Sequence, residues 1–157
     1  MTIGWDIGGV NTKVARVAGG DVLAALGRPF ELQRAPDRLA TLLRELAREI
    51  GAESPALHAV TMTAELSQMF RTKREGVAFV LDAIETAFPA DESRVFAVDN
   101  RFLSPAEARL QPLAVAAANW SSASSRGSPL GIRRAPPLPS TTTTPPSWAI
   151  RPNTRRR

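Results

Sequence analysis

Cysteine is absent from this 157-residue chain, and histidine occurs once, at position 58. The first absence excludes a disulfide framework and any thiolate metal site, and it fits a reducing compartment. A lone His58 likewise excludes a multi-histidine metal cluster. No apolar run approaches the roughly 18 residues that a membrane span requires. The N-terminus lacks the basic region, apolar stretch and cleavage site of a signal peptide. The expectation is a soluble, cytoplasmic protein.

Acidic residues are missing from one part of the chain only. The net charge is +5, which alone would suggest a nucleic acid or another polyanion as partner. From Ser121 to the C-terminus, however, there are seven Arg and no Asp, Glu or Lys. Met1 to Trp120 carries 13 basic against 15 acidic residues, a net charge of −2. The basic character therefore belongs to the last 37 residues, in which Ser, Thr, Pro and Arg make up 26. Such a segment buries too little apolar surface to offset its chain entropy and is expected to be disordered. Apart from Trp148 it has no interleaved aromatics, which speaks against a base-stacking platform. Nucleic acid is not the expected partner. About 120 residues remain, enough for one small core.

Within them, short apolar runs alternate with helical patterns. Thr2 to Ile7 reads as a buried strand ending in Gly8-Gly9, Thr12 to Val17 as a second strand, and Val22 to Leu26 as a third after a Gly19-Gly20-Asp21 hairpin. Pro36-Asp37 opens a helix with Leu39, Leu42, Leu43, Leu46 and Ile50 on one face and Gly51 as its stop. Its Arg44, Glu45, Arg48 and Glu49 read as a solvated face with i,i+4 pairs. Leu57 to Thr63 is a further strand, Glu75 to Phe88 a second helix, and Arg94 to Val98 another strand. Ser104-Pro105-Ala106-Glu107 is a capping box, opening a helix expected to run toward Trp120. The class is α/β with a mixed sheet.

The chemistry concentrates in Asp6-Ile7-Gly8-Gly9-Val10-Asn11-Thr12-Lys13. A carboxylate at a strand end, two glycines and a lysine suit a phosphate with its metal. Glycines admit backbone N–H groups to phosphate oxygens, Asp6 can hold Mg²⁺ through water, and Lys13 can neutralise charge. A plain Gly-Gly hairpin explains the same residues equally well. It is not a P-loop, because the spacing and the following helix are both absent. His58 reads as a satisfied or surface histidine rather than a proton shuttle, with no second titrating group placed beside it by the sequence, and Asp99-Asn100 as a turn.

In context the segment resembles the first phosphate loop of the actin-like ATPase superfamily. Gly4 to Gly9, Ala59 to Leu66, Glu75-Gly76-Val77, Phe102 to Pro105 and Ala117 to Trp120, in that order, resemble the hydantoinase A/oxoprolinase family. The branch they resemble comprises tetrahydromethanopterin-linked one-carbon transfer proteins and includes a synthase of methanofuran biosynthesis. The resemblance implies a ribonuclease H-like lobe and a transferase acting on a phosphorylated small molecule with Mg²⁺, either ATP or a diphosphate substrate. It places Asp6, Gly8, Gly9, Asn11 and Lys13 around the phosphate and metal, and Thr61, Thr63 and Glu65 on the catalytic cleft. Val10 departs from the hydroxyl residue common at its position, which weakens the implied nucleotide grip. Alternatives are a hydantoinase-type hydrolase of cyclic amides and a basic-tailed polyanion binder.

The family pattern stops at Trp120, before the second phosphate turn that the resemblance implies. A shifted reading frame near that codon accounts for the abrupt loss of acidic residues. The lobe is then incomplete, and the expectation is little or no turnover from the chain as written. A genuine basic tail is the rival reading.

Overall fold

The computed structural model describes residues 1–118. The expected tail, its disorder and the frame shift lie outside the described residues. Six strands form one mixed sheet in the order β3-β2-β1-β4-β5-β6, and the α/β class is as expected. The strands are β1 (Thr2–Ile7), β2 (Asn11–Ala18), β3 (Asp21–Pro29), β4 (Leu57–Met62), β5 (Glu92–Phe96) and β6 (Phe102–Leu103). β1, β4 and β5 run parallel, while β2, β3 and β6 pair antiparallel with their neighbours.

Local chemistry explains the turns. Gly19 and Gly20 both have positive φ, +61° and +91°, which is what a two-residue hairpin between twisted strands demands. Helix α1 (Leu39–Glu49) is entered through a 3-10 turn at Pro36–Arg38. It ends at Gly51, whose φ of +67° allows the N–H of Ala52 to reach back to the Ala47 carbonyl at 2.9 Å. Helix α2 (Lys73–Ala87) is capped by Thr72, whose hydroxyl accepts from the N–H of Glu75.

Three expectations are corrected. The helix opened by Ser104 is not continuous: α3 (Pro105–Leu110) stops at Gln111 and α4 (Pro112–Val115) begins anew. Pro112 is the cause, since it disfavours helical geometry in Gln111, whose φ and ψ are −123° and 56°. The strand expected over Arg94 to Val98 lies two residues earlier, as β5, and gains a partner, β6, that was not foreseen. The charges of α1 do not pair along the helix. Glu45 and Glu49 instead meet Arg28 of β3, at 3.6 and 2.6 Å, and Arg44 donates to the Thr86 carbonyl of α2.

The helices lie on one side of the sheet. Ile3, Trp5 and Ile7 of β1 alternate inward to meet Val60 and Met62 of β4 and the apolar faces of α1 and α2 in a single core. Among the described residues, nothing covers the opposite face. Its side chains belong to Gly4, Asp6, Lys13, Ala15, Ala59 and Thr61, all partly or wholly exposed.

Candidate functional site

The parallel pairing of β1 with β4 brings the ends of both strands to one edge of the sheet. The register sets Asp6 between Lys13 on β2 and Thr61 on β4, so one row of side chains carries a carboxylate flanked by an ammonium and a hydroxyl. Lys13 Nζ donates to Asp6 Oδ2 at 3.1 Å in the open. At such an exposed site the pair contributes little to stability, so both groups remain available to a ligand. Among the described residues the Thr61 hydroxyl oxygen is buried without a hydrogen-bond partner.

The glycine turn closes that edge. Gly8 N–H donates to the Asn11 carbonyl at 2.9 Å, which removes it from the donors open to a phosphate. A Cβ on Gly8 would lie 2.7 Å from the same carbonyl oxygen and 3.5 Å from the Thr63 hydroxyl, so glycine is required by close approach. Neither Gly8 nor Gly9 has a positive φ. A Cβ on Gly9 would meet nothing within 4 Å. The carbonyls of Gly9 and Val10 are taken by Leu32 and Phe30. No hydrogen bond from the N–H groups of Gly9 or Val10 is found among the described residues, which leaves two backbone donors for an anion.

Thr63 joins this edge directly, its N–H bonded to the Ile7 carbonyl at 2.9 Å. Glu65 does not stand with it in solvent. It is 2% exposed, and its Oε1 accepts from the N–H of Ala117 at 2.7 Å while Oε2 has no partner among the described residues. Burial raises its pKa above the ordinary carboxylate value, against the pull of those backbone N–H groups and of Lys73. Ala117 has a φ of +53°, a conformation that an L-residue adopts only when its surroundings hold it there. A Cβ on Gly76 would come within 2.6 Å of the Glu65 Cα, so α2 can seat on this turn only with glycine. Three of the sequence blocks, around Glu65, Gly76 and Ala117, thus converge on one carboxylate.

His58, without a titrating neighbour along the chain, has one in the structure. The ring is 1% exposed. Trp5 Nε1–H donates to His58 Nδ1 at 2.9 Å, and an indole nitrogen only donates. The ring hydrogen therefore sits on Nε2, which faces Asp91 Oδ2 at 3.0 Å, while Ser54 donates to the other Asp91 oxygen at 2.6 Å. Burial outweighs Asp91 and lowers the His58 pKa. Burial works against ionisation of Asp91, but bonds from Ser54, His58 and the Ala56 N–H prevail and hold its pKa below the usual value. This chain belongs to the core, flanked by the Phe88 ring 4.1 Å from His58. Asp99 and Asn100 form the expected turn, with Asp99 accepting from Arg101 and Asn100 at φ +63°.

As a metal centre, the edge offers one carboxylate. No group of three or more His, Cys, Asp or Glu side chains able to hold a cation occurs among the described residues. Asp6 alone suits only a hydrated Mg²⁺ that takes its other ligands from water and phosphate oxygens.

No protein-family model matches the chain. Over 120 residues the chain is 36% identical to the (4-{4-[2-(gamma-L-glutamylamino)ethyl]phenoxymethyl}furan-2-yl)methanamine synthase of Methanocaldococcus jannaschii, an alignment covering 76% of this chain and 34% of that protein. The chain thus spans about a third of the length of the curated relative it matches, and what it is similar to is the corresponding part of a furan-methanamine synthase.

Proposed function

We propose that residues 1–118 form a ribonuclease H-like lobe of hydantoinase A/oxoprolinase type, and that the chain takes part in methanofuran biosynthesis as a transferase acting on a phosphorylated small molecule in the cytoplasm. The similarity to the Methanocaldococcus synthase supports the pathway. The sheet order β3-β2-β1-β4-β5, with β2 alone reversed among those around β1 and β4, is consistent with the lobe.

The observation that carries the reading is the row Lys13-Asp6-Thr61 beside the unbonded N–H groups of Gly9 and Val10. In this reading the two N–H groups and Lys13 bind phosphate oxygens, Thr63 donates its hydroxyl hydrogen to them, and Thr61, its hydroxyl oxygen buried, supports the strand end beneath. Asn11 fixes Gly8 through its carbonyl, and Asp6 orients Mg²⁺ through water. Mg²⁺ would neutralise charge on a departing diphosphate. Glu65, tied to Ala117, positions the turn that carries Thr63 and does not itself touch substrate.

Thermal unfolding of the full chain with Mg²⁺ and pyrophosphate tests this directly. The midpoint should rise with ligand concentration in the wild type, and Asp6→Ala or Lys13→Ala should abolish the rise. A midpoint unmoved by millimolar Mg²⁺ and pyrophosphate would exclude the reading.

A further inference from the structure

The parallel strands β1, β4 and β5 end at one edge of the sheet, and hydrogen bonds tie the chain beyond them together. The N–H of Thr63, just past β4, reaches the Ile7 carbonyl of β1 at 2.9 Å, and the N–H of Val98, past β5, reaches the Ala114 carbonyl of α4 at 2.8 Å. Glu65 joins these two anchorages. It sits in the 3-10 turn Ala64–Leu66 that Thr63 opens, and its Oε1 accepts from the N–H of Ala117, 52 residues on and just past α4. The turn already rests on α2, since a Cβ on Gly76 would lie 2.6 Å from the Glu65 Cα and 2.7 Å from its carbonyl oxygen. Space filling alone does not call for a carboxylate here. Glu65 is 2% exposed with one oxygen unpartnered among the described residues, so its lost hydration is only partly replaced. Ala117, its partner, is held at a φ of +53°. A bond that joins a desolvated carboxylate to a strained residue opens more readily than the core around it.

We propose that the Glu65–Ala117 bond is a latch that couples the phosphate edge to the Ala117 turn: closed, it fixes the turn that carries Thr63, and open, it frees both. The inference rests on the phosphate reading for the ligand that closes the latch, and on the hydrogen bonds alone for the coupling between Thr63 and Ala117. A phosphate held by the Thr63 hydroxyl favours the closed latch, and by linkage the closed latch favours the phosphate by the same factor. Glu65 is then a positioning residue, its buried carboxylate engaged with Ala117 rather than with the ligand.

Amide hydrogen exchange on the full 157-residue chain, read residue by residue by NMR, tests the latch with and without ligand. Glu65→Met keeps the length of the side chain and removes the acceptor. The Thr63 N–H should then exchange roughly tenfold faster, while the N–H of Leu46, buried in α1, exchanges as in the wild type. Glu65→Gln, whose amide oxygen still accepts from Ala117, should restore the wild-type rate at Thr63. Equal exchange at Thr63 in the wild type and Glu65→Met overturns the latch whatever pyrophosphate does. Ala117→Gly serves as a second variant, should Glu65→Met fail to fold. Glycine adopts the positive φ without strain, so the closed latch gains and Thr63 should exchange about threefold more slowly; an unchanged rate overturns the latch as well. Saturating Mg²⁺ and pyrophosphate should slow the Ala117 N–H about threefold in the wild type and leave it unchanged in Glu65→Met. A thermal midpoint that rises with pyrophosphate while Ala117 exchange stays as it was overturns the coupling and leaves the phosphate reading intact. No pyrophosphate binding, with Thr63 exchange still governed by residue 65, removes the phosphate reading and leaves the latch standing.

Discussion

At the scale of single residues, the glycines make the sharpest statements. Gly76 sits inside α2, where alanine is intrinsically better by about 1 kcal/mol. Its Cα faces the Glu65 backbone so closely that a methyl group would need to displace main chain. Gly76→Ala should therefore destabilise the fold by roughly 1–3 kcal/mol, the range for overpacking, opposite in sign to propensity. Urea titration measures it, and a gain in stability would contradict the packing. Gly8→Ala should also destabilise, whereas Gly9→Ala, with open space around its Cβ, should leave the urea midpoint unchanged. The sequence marked both glycines as one turn. It could not separate them, because what distinguishes them is the approach of the Asn11 carbonyl, a matter of tertiary geometry.

At the scale of elements, most of the architecture was legible. Glycine turns, alternation and the 3.6-residue apolar period located β1, β2, β3, β4, α1 and α2 closely, because each is long enough to carry a pattern. β6 was missed since two residues have no period. The break at Gln111-Pro112 was overlooked although proline signals it, because the alanines that follow favour helix. The one-sidedness of the helix packing was invisible in the pattern, as small residues on a strand read neither as buried nor as exposed. Caps, by contrast, are readable and testable. Removing the Thr72 hydroxyl in Thr72→Ala leaves the Glu75 N–H without its acceptor and should cost about 1 kcal/mol of stability by urea titration. Thr72→Ser should restore most of it.

At the scale of the whole molecule, three titrating groups shape stability with opposite signs. His58 stays neutral in the fold below its ordinary value of 6.5, so the unfolded chain binds more protons there and stability falls as pH drops through 6.5. Asp91, held below its ordinary 3.8, adds a second loss as pH falls through that value. Glu65 acts in reverse: its raised pKa means that stability declines as pH rises from 4.5 through its folded value. The urea midpoint should thus fall between pH 7 and 5.5. His58→Gln, whose amide can accept from Trp5 and donate to Asp91 without titrating, should flatten that fall. A pH profile identical in wild type and His58→Gln would remove His58 from this account. No helix among the described residues is long and apolar enough to cross a membrane. The sheet order also fixes a sequence of events. β1, β2 and β3 follow one another along the chain and pair as neighbours, whereas β1 meets β4 only after the 49 residues between Ile7 and Leu57 have intervened. Loop closure makes the first pairing fast and the second slow. Lys13 and Asp6 should therefore be brought together early in folding, and Thr61 should complete their row only late, as the parallel core closes.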